Sequence, residues 1–352
     1  MSTNFKIATF NCENLFSRPQ IFNEPPDKAS KLLEYVSQLQ KELARDVFDH
    51  SKIKNLESKL NGYAVINDMH GKSHEKAKGS AEWRGTVEFK RDNFDDVTVD
   101  NVAHVISDID ADLICLCEVE SRPYLKRFHD VILQKKFLNP TNRPGYDYFI
   151  LFDGNDDRGI DVAIMSRLPI SWIQSHVHDK SEYNGKMTPT FSRDCLEAQV
   201  QLDNGAALFL MLNHFKSMVS CPKNDPKCNR KRELQAKRVE ELVNEHDLQK
   251  EYVIVAGDLN SEPTSPSLSP LINNSELYNV NLELPAGERG TYGTGNEQID
   301  YLLVSKAIKK HLKTVRIERR GVFSKKWPHY DTVTNSVNEA SDHSAVVAEF
   351  QL

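Results

Sequence analysis

The sequence predicts an α/β (α+β) protein in which two β-sheets are flanked by helices. Short apolar runs of strand length recur along the 352 residues, and turn signals such as DGNDDRG and DNG separate them. Segments with apolar residues at helical spacing lie between groups of these runs. A chain of this length can bury a large core, so sheets covered on both faces are the expected arrangement.

The first predicted strand, at 5–12 (FKIATFNC), is followed by a break in the pattern at 24–95. This stretch opens with EPPDK and contains a predicted helix at 32–43, whereas the polar part at about 61–95 is interpreted as loop. We therefore expect one domain, 1–352, with a partly helical insertion at 24–95 that serves as a clamp, a lid or a partner-binding element, or simply packs on the sheets.

Helices and strands alternate after the insertion. Helices are predicted at 97–110, at 121–137 with Ser121 as N-cap, and at about 230–247. The predicted strands are 112–117, 146–151, 160–166, 170–177, 195–202, 206–215, 252–260, 299–305, 313–319 and 343–352.

The composition excludes a membrane-spanning protein, because no stretch approaches the ~20 apolar residues that crossing a bilayer requires. No secretory signal is visible, and six cysteines do not make a disulfide framework. Cys221 and Cys228 flank a Lys-rich loop, for which we favour free thiols over a disulfide. The expected protein is cytoplasmic, without stable membrane association, and active as a monomer.

The net charge is −6, but positive charge is concentrated in two segments, at 216–238 and 306–326. Such segments are typical either of a phosphate-rich partner or of ordinary solvated faces. Trp327, Tyr330 and Phe323 lie beside the second segment, where aromatic rings either stack on bases or belong to the core. Arg193, before a predicted strand, fits a phosphate contact and an ion pair equally well.

Polar side chains follow or begin several predicted strands, and their types suit metal and proton chemistry. Carboxylate and amide oxygens favour Mg²⁺ or Mn²⁺, and histidines supply acid–base groups. The residues at these strand ends are Asn11, Glu13, Glu118, His214, Asp258, Asn260, Asp300, Asp342 and His343.

The order of seven blocks along the chain resembles the endonuclease/exonuclease/phosphatase superfamily, the DNase I-like fold, and its nuclease branch. The blocks are FNCEN (10–14), DLICLCEVE (112–120), DRGIDVAIMSR (157–167), LNHFKS (212–217), VAGDLNSEPTS (255–265), QIDYLLVS (298–305) and SDHSAVVAEF (341–350). The resemblance implies a four-layer α/β/β/α sandwich of two mixed sheets. It also implies hydrolysis of a phosphate ester that depends on Mg²⁺ or Mn²⁺.

The resemblance also implies roles for individual residues. Glu118 looks like the principal metal ligand, with Glu13 and Asp342 as further carboxylates on the metal side. Asn11 looks like the phosphate-orienting asparagine, and Arg158 in its loop suits a phosphate clamp. In the implied catalytic set, Asp258 orients the attacking water, and Asn260 fixes Asp258 and the phosphate. His343 contacts the scissile phosphate and is held by Asp300. His214 is the implied general acid.

The substrate does not follow from the superfamily, because one site can serve many phosphate esters. The basic segments and the NHFKS block favour a nuclease, with DNA favoured over RNA as partner. A phosphatase or phosphodiesterase acting on a small or lipid-linked phosphate is the alternative. A binding module without catalysis is disfavoured, because the whole set of site residues is present.

Overall fold

The protein is described here by a computed structural model of residues 3–13, 15, 17–93, 96–156, 158–219 and 221–352. Its internal contacts divide the chain into two compact units. The larger unit comprises Met1–Phe16, Asp95–Met218 and Pro222–Leu352, and the smaller unit comprises Ser17–Phe94 and Val219–Cys221. The expectation of one domain with an insertion stays a prediction.

Within the described residues, the larger unit contains two six-stranded mixed sheets. The first has the order β17 (Leu312–Glu318), β18 (Ala345–Gln351), β1 (Asn4–Asn11), β6 (Leu113–Val119), β8 (Asp161–Ser166), β7 (Tyr148–Leu151). The second has the order β15 (Leu277–Asn279), β16 (Asp300–Ser305), β14 (Tyr252–Asp258), β13 (Ala207–His214), β12 (Cys195–Gln201), β9 (Ile170–Ser175). The pairs β1–β6 and β13–β14 are parallel.

The core lies between the two sheets. Alternate residues of the central strands, such as Ile7 and Cys115 from the first sheet and Leu210 and Ile254 from the second, form one buried apolar cluster. The helix α5 (Asn229–Val243) packs its apolar face, including Val239, on the outer side of the second sheet. The arrangement confirms the predicted fold class, two mixed sheets flanked by helices in the DNase I-like manner.

The remaining elements of the larger unit lie around this sandwich. They are α3 (Asp96–Ile109), α4 (Arg122–Phe128), α6 (Ser269–Ile272), α7 (Lys306–Lys309) and a hairpin of β10 (Lys180–Tyr183) and β11 (Lys186–Pro189). The predicted helix at 121–137 is regular only as far as Phe128, and a wider π-type helix continues over His129–Leu138. Ser121 caps it as predicted, since its side chain accepts a hydrogen bond from the amide of Tyr124.

The smaller unit has its own apolar core, which includes Leu39, Ile53, Leu56 and Trp83. Its elements are α1 (Pro26–Leu43), α2 (His50–Leu60), a hairpin of β3 (Ala64–Gly71) and β4 (Trp83–Phe89), and a short pair of β2 (Ser17–Pro19) and β5 (Arg91–Asn93). The expectation of a loop over about 61–95 is therefore wrong. In WRGTVEF the apolar side chains alternate with polar ones, and this period of two outweighs the overall polarity.

The cysteines also differ from expectation. Cys221 and Cys228 are disulfide-bonded, which corrects the preference for free thiols. Successive turns, from Pro222 to Asp225 and from Asp225 to Cys228, fold the intervening loop back on itself. Sequence spacing alone does not reveal such turns. Among the described residues, none of the helices combines the length and hydrophobicity that crossing a bilayer requires.

Candidate active site

Polar side chains of the two sheets meet at one edge of the sandwich. Asn11, the last residue of β1, donates a hydrogen bond from Nδ2 to Oδ2 of Asp258, the last residue of β14, over 3.1 Å. The register of the second sheet places His214 beside Asp258 and Asp258 beside Asp300. Four strands from two sheets thus bring their terminal side chains to one place.

Asp258, Asp300 and His343 form a buried group at this edge. Each offers one ligand atom that lies within 4.8 Å of the others, and Oδ2 of Asp300 is 2.9 Å from Nδ1 of His343. Burial and the charge of Asp300 raise the pKa of Asp258 to about 7. Burial opposes the charged form of His343, but Asp300 and its other carboxylate neighbours outweigh it and hold the pKa of His343 well above its usual value.

Two amide groups of Asn260 and a close approach of strands at Gly257 fix the carboxylate of Asp258. Asn260 donates its backbone N–H to Oδ1 over 2.8 Å and its Nδ2 to Oδ2 over 3.1 Å. Gly257 lies within β14, where its φ is +122° and an added Cβ would lie 1.9 Å from the carbonyl oxygen of Asn213 on the neighbouring strand. Glycine is required there, and the GDLN block positions Asp258 and Asn260 as one unit.

His214 lies between two carboxylates. Its Nε2 is 3.5 Å from Oδ2 of Asp258 and 3.9 Å from Oε1 of Glu118. Burial, and then the charges of Arg193 and Arg158, lower the pKa of His214 well below its usual value. The neutral imidazole can donate a hydrogen bond, but this environment does not favour the predicted role of His214 as general acid.

Three carboxylates are predicted on the metal side. Glu13 follows β1, Glu118 lies at the end of β6, and Asp342 precedes β18. Glu13 and Glu118 have φ values of 48° and 61°, in the left-handed region that non-glycine residues rarely adopt. At Glu118 the cause is an irregularity in the pairing of β6 with β8, between Cys117 and Val119. Oε2 of Glu13 accepts the amide of Asp342 over 3.1 Å. Such an all-oxygen donor set fits Mg²⁺ or Mn²⁺.

A buried cationic group adjoins His214. Arg158, the predicted phosphate clamp, donates Nε to Oδ1 of Asp156 over 2.6 Å and also engages Oδ2 through Nη2. Nε of Arg193 lies 3.0 Å from the same carboxylate, so Arg193 forms an ion pair deep in the protein. Burial, and then Arg193 and Arg158, lower the pKa of Lys216 to about 7. Sequence reasoning missed Asp156 and the burial of Lys216, although Lys216 lies in the NHFKS block.

The basic segments do not form continuous solvated faces. Lys231 and Arg232 of α5 are buried, and Arg238 pairs with Asp179 over 2.7 Å. In the second segment, Arg316 and Arg320 both pair with Glu318. The side chains that remain exposed include Lys223, Lys227, Arg230, Lys325 and Lys326. Much of the positive charge of these two segments is therefore buried or paired with carboxylates of the protein.

Comparison with known proteins agrees with this geometry. The sequence profile described as the Endonuclease/Exonuclease/phosphatase family matches residues 76–332, whereas no curated protein matches the chain. The endonuclease/exonuclease/phosphatase from Bacteroides vulgatus is similar, with a TM-score of 0.53 at 14% identity over 99% of both chains.

Two further solved structures show the same fold. An endonuclease/exonuclease/phosphatase family protein from Bacteroides thetaiotaomicron has a TM-score of 0.52 at 16% identity over 100% of this chain and 96% of that chain. The endonuclease/exonuclease/phosphatase from Beutenbergia cavernae has a TM-score of 0.51 at 15% identity over 99% of this chain and 72% of that chain.

Proposed function

Because the chain belongs to the endonuclease/exonuclease/phosphatase family, whose members hydrolyse phosphoester bonds, we propose that it is a divalent-metal-dependent nuclease, with DNA favoured over RNA. The observation that carries the proposal is the convergence of Asn11, Asp258 and His343 at one buried edge, with Glu118 within reach of His214. This set provides a base, a phosphate-binding cation and metal-binding oxygens for one reaction.

We assign the cation site to Glu118, Glu13 and Asp342. These carboxylates would hold a divalent ion, and the chemistry that such an ion would supply is neutralisation of charge on the non-bridging phosphate oxygens. The group of Asp258, Asp300 and His343 also satisfies the distances of a metal site. Its ligand atoms, however, are engaged with one another and with the amides of Asn11 and Asn260, which favours proton chemistry over metal binding.

The side chains around the scissile phosphate then have separate roles. Asp258, held by two amides, accepts a hydrogen bond from the attacking water and directs it in line with the leaving oxygen. His343, oriented through Nδ1 by Asp300, presents Nε2 to a phosphate oxygen, where the imidazolium charge stabilises the transition state. Asn11 Nδ2, 3.5 Å from Nε2 of His343, shares that oxygen.

A second candidate is a phosphatase acting on a small or lipid-linked phosphate. The buried cations Arg158, Arg193 and Lys216 favour it, because a group of this kind suits the second negative charge of a terminal phosphate. A nuclease instead needs contacts along a polymer, which the exposed lysines at 223, 227, 325 and 326 are able to supply.

The test is nicking of closed circular plasmid by the purified protein with Mg²⁺, with Mn²⁺ and with EDTA. Glu118→Ala and His343→Ala are compared with Val337→Ala, a matched control at a side chain that is 80% exposed. We expect metal-dependent nicking by the wild type and the control, and none by the two site variants. Absence of nicking with either metal would remove duplex endonuclease activity, and linear and single-stranded oligonucleotides are then assayed beside a soluble phosphomonoester. Hydrolysis of the phosphomonoester alone would replace the nuclease by the phosphatase.

A further inference from the structure

An exposed aromatic ring lies directly against the histidine of the proposed active site. The ring centroids of Tyr292 and His343 are 4.9 Å apart, at an interplanar angle of 59°. Tyr292 is 36% exposed, whereas His343 is buried. One side of the tyrosine ring therefore contacts the phosphate-binding imidazole while much of the remainder faces solvent.

The position of Tyr292 is fixed by backbone hydrogen bonds to the segment that carries His343. The amide of Gly293 donates to the carbonyl of Asp342 over 2.7 Å, and the amide of Ser344 donates to the carbonyl of Thr291 over 2.6 Å. On the other side, Oγ1 of Thr291 accepts the amide of Asp300 over 3.1 Å. The ring is thus held in place before any substrate binds, which lowers the entropy cost of a stacking contact.

The same loop supports a second aromatic ring. Trp327 is half-buried and donates Nε1 to the carbonyl of Thr294 over 3.1 Å. At Gly295, where φ is +77°, an added Cβ would lie 2.9 Å from that indole nitrogen, so glycine permits the close approach. Thr294 is two residues from Tyr292, so their Cα atoms are at most ~7 Å apart, and Trp327 is therefore attached to the same short loop as Tyr292.

Cations accompany the second ring. The guanidinium carbon of Arg319 lies 4.5 Å from the centroid of Trp327, and Nζ of Lys326 lies 4.8 Å from it. Lys325 and Lys326 are exposed. Aromatic rings beside flexible lysines are the usual means by which proteins hold an unpaired strand, with bases on the rings and phosphates on the cations.

We propose that Tyr292 and Trp327 form an aromatic strip that binds unpaired bases of a nucleic-acid strand whose scissile phosphate lies at His343. The inference rests on the proposed nuclease function and adds a preference for single-stranded substrate next to the cleaved bond. A small or lipid-linked phosphate offers no ring for this strip to hold.

Tyr292 has another possible role, which the test must separate from stacking. The charge of Asp342, together with burial, raises the pKa of Tyr292 to about 12, so the phenol interacts with that carboxylate. If the tyrosine merely positions Asp342, the hydroxyl is the important group. If the tyrosine stacks on a base, the aromatic ring is the important group. Tyr292→Phe keeps the ring alone, and Tyr292→Leu keeps apolar volume without aromaticity.

The experiment measures kcat/KM on single-stranded oligonucleotides in which one phosphodiester is cleavable and all other linkages resist hydrolysis. One substrate carries normal bases, and two others carry an abasic residue on either side of the cleavable bond. For the wild type and for Tyr292→Phe, we expect one abasic substitution to lower kcat/KM on the order of tenfold. For Tyr292→Leu and Tyr292→Ala, the abasic and normal substrates should be cleaved at similar rates.

The outcomes separate this inference from the proposed function. If the wild type cleaves all three substrates equally, the nuclease stands and the aromatic strip is refuted. If Tyr292→Phe loses the preference as fully as Tyr292→Ala, the hydroxyl positions Asp342 and stacking is refuted. If the wild type nicks plasmid but cleaves no single-stranded oligonucleotide, the nuclease stands and the aromatic strip is refuted. If it cleaves neither plasmid nor oligonucleotide under conditions in which it hydrolyses a phosphomonoester, both proposals fall together.

Discussion

The larger unit holds two buried groups of histidines and carboxylates, and they differ in how completely their members are paired. The histidine–glutamate cluster consists of His176 just after β9, Glu197 on β12 and His246 after α5. Glu197 lies 2.9 Å from Nε2 of His176 and 3.8 Å from Nε2 of His246. The other ring nitrogens face Asp179 at 3.0 Å and Glu251 at 3.6 Å. Each imidazole nitrogen thus has a carboxylate beside it.

The hydrogen bonding of the group at the candidate active site is less complete. Nδ1 of His214 and Oδ1 of Asp300 are buried, and neither finds a hydrogen-bond partner among the described residues. Glu118 and Asn260 hold left-handed backbone conformations, with φ values of 61° and 50°. Burial of charge therefore does not by itself mark function. Unused hydrogen-bonding capacity together with backbone strain distinguishes the site from the cluster.

The same isosteric change, glutamate to glutamine, should have opposite effects in the two groups. At Glu118 we expect catalysis to fall on the order of 10³-fold, because the proposed metal ligand loses its charge. The melting temperature should stay close to that of the wild type. Steady-state hydrolysis and thermal unfolding of Glu118→Gln provide the two readings, and a well-folded variant with full activity would remove Glu118 from the metal site.

At Glu197 the change should reduce stability and leave catalysis intact. Glu197→Gln replaces the carboxylate that helps to raise the pKa values of two histidines by an uncharged amide, and disrupting a buried ion pair costs about 3–5 kcal/mol. Urea unfolding at pH 6 measures the loss, and activity is assayed well below the midpoint. A stable but inactive Glu197→Gln protein would contradict the distinction between the two groups.

Metal binding, measured without an activity assay, is a further way to distinguish the candidate active site from the histidine–glutamate cluster. A divalent ion that binds only the folded protein stabilises it by about 2.7 kcal/mol at a concentration one hundred times its Kd. We expect Mn²⁺ to raise the melting temperature of the wild type and of Glu197→Gln, but to have much less effect on Glu118→Gln. Equal stabilisation of all three proteins would place the ion elsewhere.

The histidine–glutamate cluster should also make stability depend on pH. The hydrogen bond to Glu197 raises the pKa of His246, and for His176 the carboxylates outweigh the opposing effect of burial. The contribution of these histidines is therefore complete below pH ~6.5 and is lost as the pH rises through their folded-state pKa values.

The pKa of Glu197 has the opposite shift. Burial raises it, but the two histidines outweigh burial and lower it to about 2, so its contribution is lost as the pH falls below ~4.5. The advantage of wild type over Glu197→Gln should thus be largest between pH ~4.5 and ~6.5. Melting curves of both proteins from pH 4 to pH 9 test this, and a constant difference would refute the linkage.

The smallest expected effect concerns exposed charge. Replacing Lys223 and Lys227 by alanine removes two exposed cations of the first basic segment. If both contact phosphates of a single strand, the slope of log affinity against log salt should decrease by about 0.7 for each. Binding of an oligonucleotide in EDTA over a range of salt concentrations measures this slope, and an unchanged slope would exclude the two lysines from the binding surface.

Most of the sandwich could be predicted from the sequence, which also predicts the candidate site residues. Buried strands are apolar runs of limited length, so β1, β13 and β14 were predicted to within two residues. The polar residues at their ends, such as Asp258, were then recognised from their order along the chain. Their catalytic and metal-binding roles stay predictions.

Other features depend on tertiary structure and could not be read from the sequence. The left-handed backbone at Glu118 arises from pairing with a distant strand. The pairing of Arg193 with Asp156 joins residues 37 positions apart, which no local pattern signals. In the hairpin of β3 and β4, apolar and polar residues alternate as in a strand, but the high overall polarity of 61–95 is typical of a loop and obscures this signal.

The pairing of β13, β14 and β16 has a consequence for which changes of chain length the protein can tolerate. His214, Asp258 and Asp300 are neighbours in the hydrogen-bond ladder, so their alignment is set by strand register. Deleting one residue within β14 would turn every side chain before or after it to the opposite face. Loops carry no such constraint. Lineages of this protein should accumulate insertions between strands, while the lengths of these three strands stay unchanged.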